Sequence, residues 1–301
     1  MTQTNPALHK PDWSDFRDHI PTADKDGRRL WIYPRKPSGR FTRAREVVAV
    51  FLLVLLFVGP FVRINGVPLL QMDILGRKFA LFGQIFWPQD LFLLALAMIA
   101  VFVMIVLSTA IYGRIWCGWL CPQTVLMEMV FRKIEYWIEG DSPQQRDLDQ
   151  APWTRSKVIK KAAKHGIFLG VSFLIANWLL MYIIGDQAWI ALVTDNPLLH
   201  LKGLTAMILF TLLFYGIFAR FREQACTFIC PYGRFQSVLL DENSIIVAYD
   251  HRRGEKRARF TRAQPLEERK ALGHGDCINC RMCVQVCPTG IDIRNGTQME
   301  C

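Results

Sequence analysis

Histidine is scarce in this chain, six among 301 residues, and the placement of those few argues against a haem. His165 opens one apolar run on one side of it, and His200 lies near the start of the next run on the other side. The two are separated by about a bilayer thickness, so one haem cannot take both. The first 45 residues have no apolar stretch and carry ten Lys or Arg, so no signal peptide is expected. Arg28-Arg29 only echoes a twin-arginine signal, because no suitable apolar stretch follows. A disulfide framework is also missing. The nine cysteines are Cys117, Cys121, Cys226, Cys230, Cys277, Cys280, Cys283, Cys287 and Cys301, and all but the last fall in tight groups with spacings of three or four. Such clusters point to metal or redox chemistry in a reducing compartment.

Hydrophobic residues make up 51% of the chain, yet 21% of it is charged. That mixture predicts apolar blocks separated by polar loops. Four blocks stand out: 47–62, 91–113, 166–185 and 203–219. A spanning helix needs about 20 apolar residues, with ~17 tolerated, and Arg63 can snorkel to extend the short first block. Four spanning helices in two hairpins are therefore expected. The basic residues set the orientation. Ten lie before the first block, nine in the 114–164 loop and thirteen from Arg220 onward. The opposite loops hold only Arg63, Arg77 and Lys78 in one and none in the other. Basic loops stay cytoplasmic, which puts both termini and the middle loop there. The net charge of +10 is then a matter of topology, and no nucleic-acid partner is needed to explain it. Membrane lipid is the expected partner.

Each hairpin returns to a similar hexapeptide: Cys117-Gly-Trp-Leu-Cys121-Pro122, then Cys226-Thr-Phe-Ile-Cys230-Pro231. This is a weak parallel repeat. Proline favours the first helical position, so Cys121 and Cys230 are expected at N-caps, where the helix end favours thiolate. Four thiols can converge if the hairpins pack side by side. They read as a copper site, a further redox site or a reactive thiol pair, against structural turns with buried free cysteines. After Pro122, the residues Leu126, Met129, Val130, Ile134 and Trp137 form a stripe suited to the membrane surface. A short helical stretch follows Pro231, and residues 245–249 read as one strand.

The last segment reads Cys277-Ile-Asn-Cys280-Arg-Met-Cys283-Val-Gln-Val-Cys287-Pro288. Its gaps of two, two and three with a following proline are those of the bacterial ferredoxin run. Two-residue gaps let a compact loop aim three thiolates at three iron corners of one cubane, and soft thiolates suit that iron. The fourth cysteine of such a run serves a second cluster in two-cluster ferredoxins. A zinc site usually has two separated pairs instead. Cys301 lies fourteen residues beyond Cys287, a gap that suits the start of a second run, so a second 4Fe–4S cluster is implied. An incidental cysteine is the alternative. The chain thus divides into a basic N-terminal segment (1–45), a membrane domain of two hairpins with their cysteine–proline motifs (46–240) and a ferredoxin-like iron–sulfur segment (241–301). The fold class is a mainly α membrane protein.

From about Trp31 to its end the chain closely resembles the cytochrome c oxidase accessory family called CcoG, FixG or Rdx. The features that carry the resemblance are the block from Tyr112-Gly-Arg-Ile-Trp-Cys to Ile-Glu-Gly-Asp141, the repeated motif at Cys226 to Pro231, and the ferredoxin run. The resemblance implies a membrane polyferredoxin of the bacterial inner membrane. Its clusters would reduce Cu(II) to the Cu(I) needed for assembling cbb-type cytochrome c oxidase. It implies that Cys277, Cys280, Cys283 and Cys287 are cluster ligands, and that Cys117, Cys121, Cys226 and Cys230 are candidates for copper or thiol redox chemistry. The implied partners are copper-handling or oxidase assembly proteins, a cytoplasmic electron donor and a second copy of the chain. Family members continue with a second cysteine run, another membrane helix and an immunoglobulin-like domain. Two other readings compete: a quinol-linked electron-transfer subunit of the NapH type, which shares the four helices and both cysteine–proline motifs, and a membrane scaffold with a structural cluster.

Overall fold

The computed structural model describes residues 28–64, 66–73, 78–81, 83–87, 89, 91–195, 201–236, 238–241, 243–259 and 265–296. His200 and Cys301 lie outside the described residues. Helices dominate. In chain order the first are α1 (Arg40–Val58), α2 (Leu91–Tyr112), α3 (Pro122–Val125), α4 (Arg132–Ile138) and α5 (Ser142–Gln150). Then come α6 (Arg155–Ile184), α7 (Asp186–Thr194), α8 (Leu201–Gly216), α9 (Pro231–Phe235), α10 (His251–Gly254), α11 (Leu266–Ala271) and α12 (Met282–Val286).

Among the described residues, three stretches are long and apolar enough to cross a membrane: Phe92–Tyr112, Arg155–Ile184 and Leu201–Phe221. They suggest membrane association. The apolar side chains of α2, such as Phe92, Met98 and Phe102, are largely exposed, as lipid-facing residues would be. At 1.5 Å per residue, the 30-residue α6 outruns a ~30 Å hydrocarbon core. Its basic first turns therefore project beyond the apolar zone. α1 differs from the expectation of four comparable helices. Its first two turns carry Arg40, Arg43, Arg45 and Glu46, and it stops at Val58 before Gly59-Pro60. The uncharged part is only about 18 Å long.

Between α1 and α2, where the sequence shows only a loop, lie two small sheets. β1 (Arg63–Ile64) and β2 (Val67–Pro68) form a hairpin. β3 (Leu70–Asp73), β4 (Lys78–Leu81) and β5 (Gln84–Phe86) form an antiparallel meander. An ion pair from Arg63 to Asp186 ties this region to the start of α7. α1 is fastened to α6 near the same end, where the Trp178 indole donates to the Phe57 carbonyl at 2.9 Å and the Tyr182 hydroxyl to Leu56 at 2.8 Å.

The core lies between the helical segment after the first cysteine motif, the middle of α6 and the end of α8, with Leu53 and Phe57 of α1 packed against it. It is built from Leu126, Met127, Phe131, Phe168, Ile175 and Phe218. Phe131 stacks on Phe218 at 4.5 Å between ring centroids and meets Phe168 edge-on at 4.9 Å. The stripe expected to face the membrane is thereby corrected. A π-helical turn at Leu126–Phe131 inserts an extra residue and rotates the face. Leu126 then enters the core with Val130 and Ile134 against it, while Trp137 stays exposed. Residues 245–249 form no strand. Their start is pinned instead by the Ile245 N–H donating to Ile111 at 2.9 Å, under the end of α2. Gly113 makes that approach feasible: its φ is +59°, and a Cβ would lie 3.1 Å from the Ile245 carbonyl.

Candidate metal centres

The repeat seen in sequence is also a repeat of backbone. Beyond α2 the chain makes a π-helical turn at Trp116–Leu120, closed by the Cys121 N–H donating to Trp116 at 3.0 Å. Cys121 then leaves the helical region (ψ 122°) and Pro122 opens α3. The second copy runs through Ala225–Ile229, with the Cys230 N–H on the Ala225 carbonyl at 3.0 Å, a ψ of 113° at Cys230, and Pro231 opening α9. Both cysteines sit at N-caps as expected, because proline has no N–H to lose there.

α9 folds back onto the first motif. Gln236, at its C-terminal end and 2% exposed, lies 3.3 Å from Cys117 Sγ. Its amide is best satisfied with the oxygen accepting from Arg114 at 3.0–3.2 Å, which turns Nε2 toward the sulfur. Tyr232 and the buried Thr109 hydrogen-bond across the same seam. Gly233 is required by contact: a Cβ there would lie 2.4 Å from the Cys226 carbonyl. The four thiols share one neighbourhood. Burial pushes the Cys117 thiol up to about 11, with Cys121 and Cys230 adding to it. Burial pushes Cys226 up to about 12, with the other three thiols adding.

A buried ion network, missed in the sequence, holds the two motifs in place. Glu135, in the helical segment after the first motif, receives a bidentate pair of hydrogen bonds from Arg222, just before the second, at 3.1 and 2.7 Å. Lys164 of α6 reaches Glu139 at 3.0 Å and Glu135 at 3.4 Å. Arg132 pairs with Glu128 and stands 3.7 Å from Glu223, and Arg29 stands 3.3 Å from Glu223. Burial opposes ionisation of Glu135, but Arg222, Lys164 and Arg132 outweigh it and hold its carboxyl below the usual range. Arg222 has φ +52°, a left-handed conformation costly for a non-glycine residue. The signal was present in sequence: Glu128, Arg132, Glu135 and Glu139 recur at helical spacing, as do Lys157, Lys161 and Lys164.

The ferredoxin run folds as a loop and one helical turn. Asn279 (φ +55°) and Arg281 (φ +57°) take left-handed conformations on either side of Cys280. α12 then carries Cys283 to Cys287, whose Sγ lies 3.2 Å from the Thr289 hydroxyl. Cys280 and Cys283 are exposed, and Cys277 and Cys287 half-buried. These residues fit an anionic thiolate-ligated cluster. Buried Arg294 is held by Asp292 at 2.8 Å and by Asn279. Asp292 first, then the sulfurs of Cys283 and Cys277, push that guanidinium further up against the effect of burial. Among the described residues no three His, Cys, Asp or Glu converge on a single ion; a cubane has no such need, since each cysteine binds its own iron.

The segment before α1 straps the two centres together. The Arg35 N–H donates to the Gln285 carbonyl at 2.7 Å, and Ile32 packs on Gly290. On the other side Tyr33 bonds Asp149, and the Trp31 ring lies under the guanidinia of Arg29 at 4.3 Å and Arg222 at 5.1 Å. Beside this strap a cavity of about 520 Å³ opens among Trp31, Tyr33, Lys164, His165, Tyr215 and Arg220. There the Tyr215 hydroxyl and His165 Nδ1 are 2.9 Å apart.

A 4Fe-4S dicluster domain family matches residues 221–301, and a 4Fe-4S binding domain family matches residues 94–141. With the apolar helices, these matches define the class: an iron–sulfur electron-transfer protein associated with a membrane. The chain is 35% identical to nitrogen fixation protein FixG of Rhizobium meliloti (strain 1021), over 91% of this chain and 52% of that protein. It is 37% identical to protein RdxA of Cereibacter sphaeroides (90% and 56% covered) and 32% identical to RdxB of the same organism (93% and 58%). The chain belongs to the FixG/Rdx family. It spans a little over half the length of these curated relatives. No solved structure matches it.

Proposed function

We propose that this chain is the membrane-anchored electron-transfer part of a cupric reductase that supplies Cu(I) for assembly of cbb-type cytochrome c oxidase. The observation that carries the reading is an exposed ferredoxin loop in a FixG/Rdx family member, strapped by residues 31–35 to the basic ends of apolar helices. Copper is the substrate: Cu(II) takes one electron and becomes Cu(I), and a cytoplasmic donor supplies that electron. When bound, 4Fe–4S clusters store and pass single electrons. Cys277, Cys280 and Cys283 would hold one of them, and Cys287, with Cys301 beyond the described residues, would serve the next. Arg294 places a fixed positive charge beside the thiolates, and exposure of Cys280 and Cys283 leaves a short path for exchange with partners.

The topology proposed with it has four crossings, α1 being completed by snorkelling of Arg63, and both termini in the cytoplasm of a bacterium. Reporter fusions after Gln187 and after Asp250 test it. Phosphatase activity exported from the Asp250 fusion would falsify the orientation. The activity is tested on anaerobic full-length protein with reduced clusters, Cu(II) and a Cu(I)-specific chromogenic chelator. Stoichiometric Cu(I) formation is expected, and none at all overturns the reading. A second reading, quinol-linked electron transfer, is favoured by the cavity holding Tyr215 and His165, which has the aromatic and hydrogen-bonding lining a quinol headgroup needs. Cluster reduction by a quinol, without Cu(I) formation, would select it.

A further inference from the structure

We propose that the cavity beside the strap binds the phosphate headgroup of an anionic phospholipid, with Arg220 as its main contact. The first argument is depth. Lys161, Lys164 and His165 stand on α6 just before the apolar block 166–185, and Tyr215, Ala219 and Arg220 stand where α8 runs out through a π-helical turn at Ile217–Phe221. α6 and α8 pack along each other. The cavity therefore opens where two neighbouring apolar helices leave the hydrocarbon on their basic side, the level at which headgroups lie. Its volume of about 520 Å³ suits a small organic group and exceeds what a single ion needs.

The second argument is the surface that continues from the cavity. Ile208 and Leu212 precede Tyr215 by seven and three residues, so they lie on its face of α8, and Leu169 follows His165 by four on α6. All three are exposed. A polar cavity above an apolar stripe matches a molecule with a polar head and an acyl chain.

The third argument is charge. Lys161 is shared by Glu139 at 2.9 Å and Asp149 at 2.6 Å, and Lys164 by Glu139 at 3.0 Å and Glu135 at 3.4 Å. Each ammonium has three protons, so each keeps one to donate. Asp149, the carboxylate of the lining, is turned to Lys161 and Tyr33. Arg220 is exposed and has no ion pair among the described residues, and its planar fork suits a phosphate bidentately. A quinol headgroup is neutral and leaves that charge unmatched.

The test does not involve the electron acceptor, so this proposal and the copper reading can fail separately. Full-length protein stripped of lipid in detergent is offered phosphatidylglycerol, phosphatidylcholine or inorganic phosphate, and bound adducts are counted by native mass spectrometry. Selective retention of phosphatidylglycerol is expected. Arg220→Gln should weaken it about tenfold, the worth of one charge-assisted contact, and Arg220→Lys should recover part of the loss. Arg146→Gln, which removes another exposed charge, should leave retention unchanged. Iron content checks the folding of each variant. Equal affinity for phosphatidylcholine would overturn the proposal, as would displacement of the lipid by inorganic phosphate at equal concentration or an equal loss in both glutamine variants. A bound quinone that phosphatidylglycerol does not displace would also overturn it and return the cavity to the second reading. Should Arg220→Gln lose its iron, Ala219→Trp decides by filling the cavity from a half-buried position. It should abolish selective retention, and undiminished retention overturns the proposal.

Discussion

Cys117 and Cys226 are half-buried thiols in a rigid frame, whereas Cys280 and Cys283 are exposed on a short loop. Both regions gather four cysteines, but by different means. The ferredoxin loop does it locally: eleven residues, two left-handed backbones and one turn of helix bring the sulfurs together. At the membrane face, cysteines 109 residues apart in sequence share one neighbourhood only because tertiary structure packs the two motifs together, as the Gln236 contact to Cys117 shows. Aromatic stacking of Phe131 on Phe218 and the Glu135–Arg222 pair each join one half to the other. Local sites survive damage elsewhere, while a site assembled from distant segments inherits every weakness of its frame. The two regions should therefore fail separately.

The largest expected effect tests that separation from the loop side. Cys280→Ala in the full-length protein should remove a cluster's worth of iron, about four per chain, and a substantial part of the reduced-state resonance. The midpoint of thermal unfolding of the membrane domain should stay where it was. Unaltered iron and sulfide would mean the loop does not ligate; a collapse of the whole protein would mean the two regions are one folding unit.

From the frame side, Glu135→Gln leaves Arg222 and Lys164 buried without a full counter-charge. Removing one partner of a buried pair costs about 3–5 kcal/mol, read as a fall in the unfolding midpoint in detergent. The ferredoxin resonance should be untouched at temperatures where the variant remains folded. The pH dependence has a definite sign. Because the folded-state carboxyl of Glu135 is held below its ordinary value, its contribution to stability is present above the ordinary glutamate range. It is lost as pH falls through the depressed value. Acid unfolding should thus begin at higher pH in Glu135→Gln than in the parent. Coincident acid transitions would show that the pair does not hold the frame.

What could be read in the sequence follows the same division. The ferredoxin ligands and the N-cap positions of Cys121 and Cys230 are legible because they rest on spacing within a few residues. Apolar runs likewise identify α2, α6 and α8. Of the buried charges at Glu135, Lys164 and Arg222, the two basic ones enter the sequence reading only as loop charges that set orientation, since basic residues beside apolar runs ordinarily face water. Only the fold shows that they face one another. The π-helical turn at Leu126–Phe131 has no sequence signature, and after it Leu126, Val130 and Ile134 of the stripe lie in or against the core. The small sheets before α2 stayed hidden because their strands run two to four residues, too short for alternation to register.

The smallest effect concerns one hydroxyl at the edge of the ferredoxin loop. Tyr249 stands between two acceptors, the Cys277 sulfur and Glu255 Oε1 at 3.4 Å, with Arg257 over its ring at 5.6 Å. It has one proton to give. The contact to Glu255 is near the limit for a hydrogen bond, and a ligating sulfur gains negative charge when a cluster is reduced, so the sulfur should receive the proton. A donor to sulfur favours the reduced state. Tyr249→Phe should therefore lower the midpoint potential of the cluster bound to Cys277, an effect of about 1 kcal/mol, the net worth of one such bond. Redox titration followed by resonance measures it, and iron content should not change. If the potential does not move, the proton rests on Glu255 and, of the two residues, Arg294 alone tunes the loop's sulfurs.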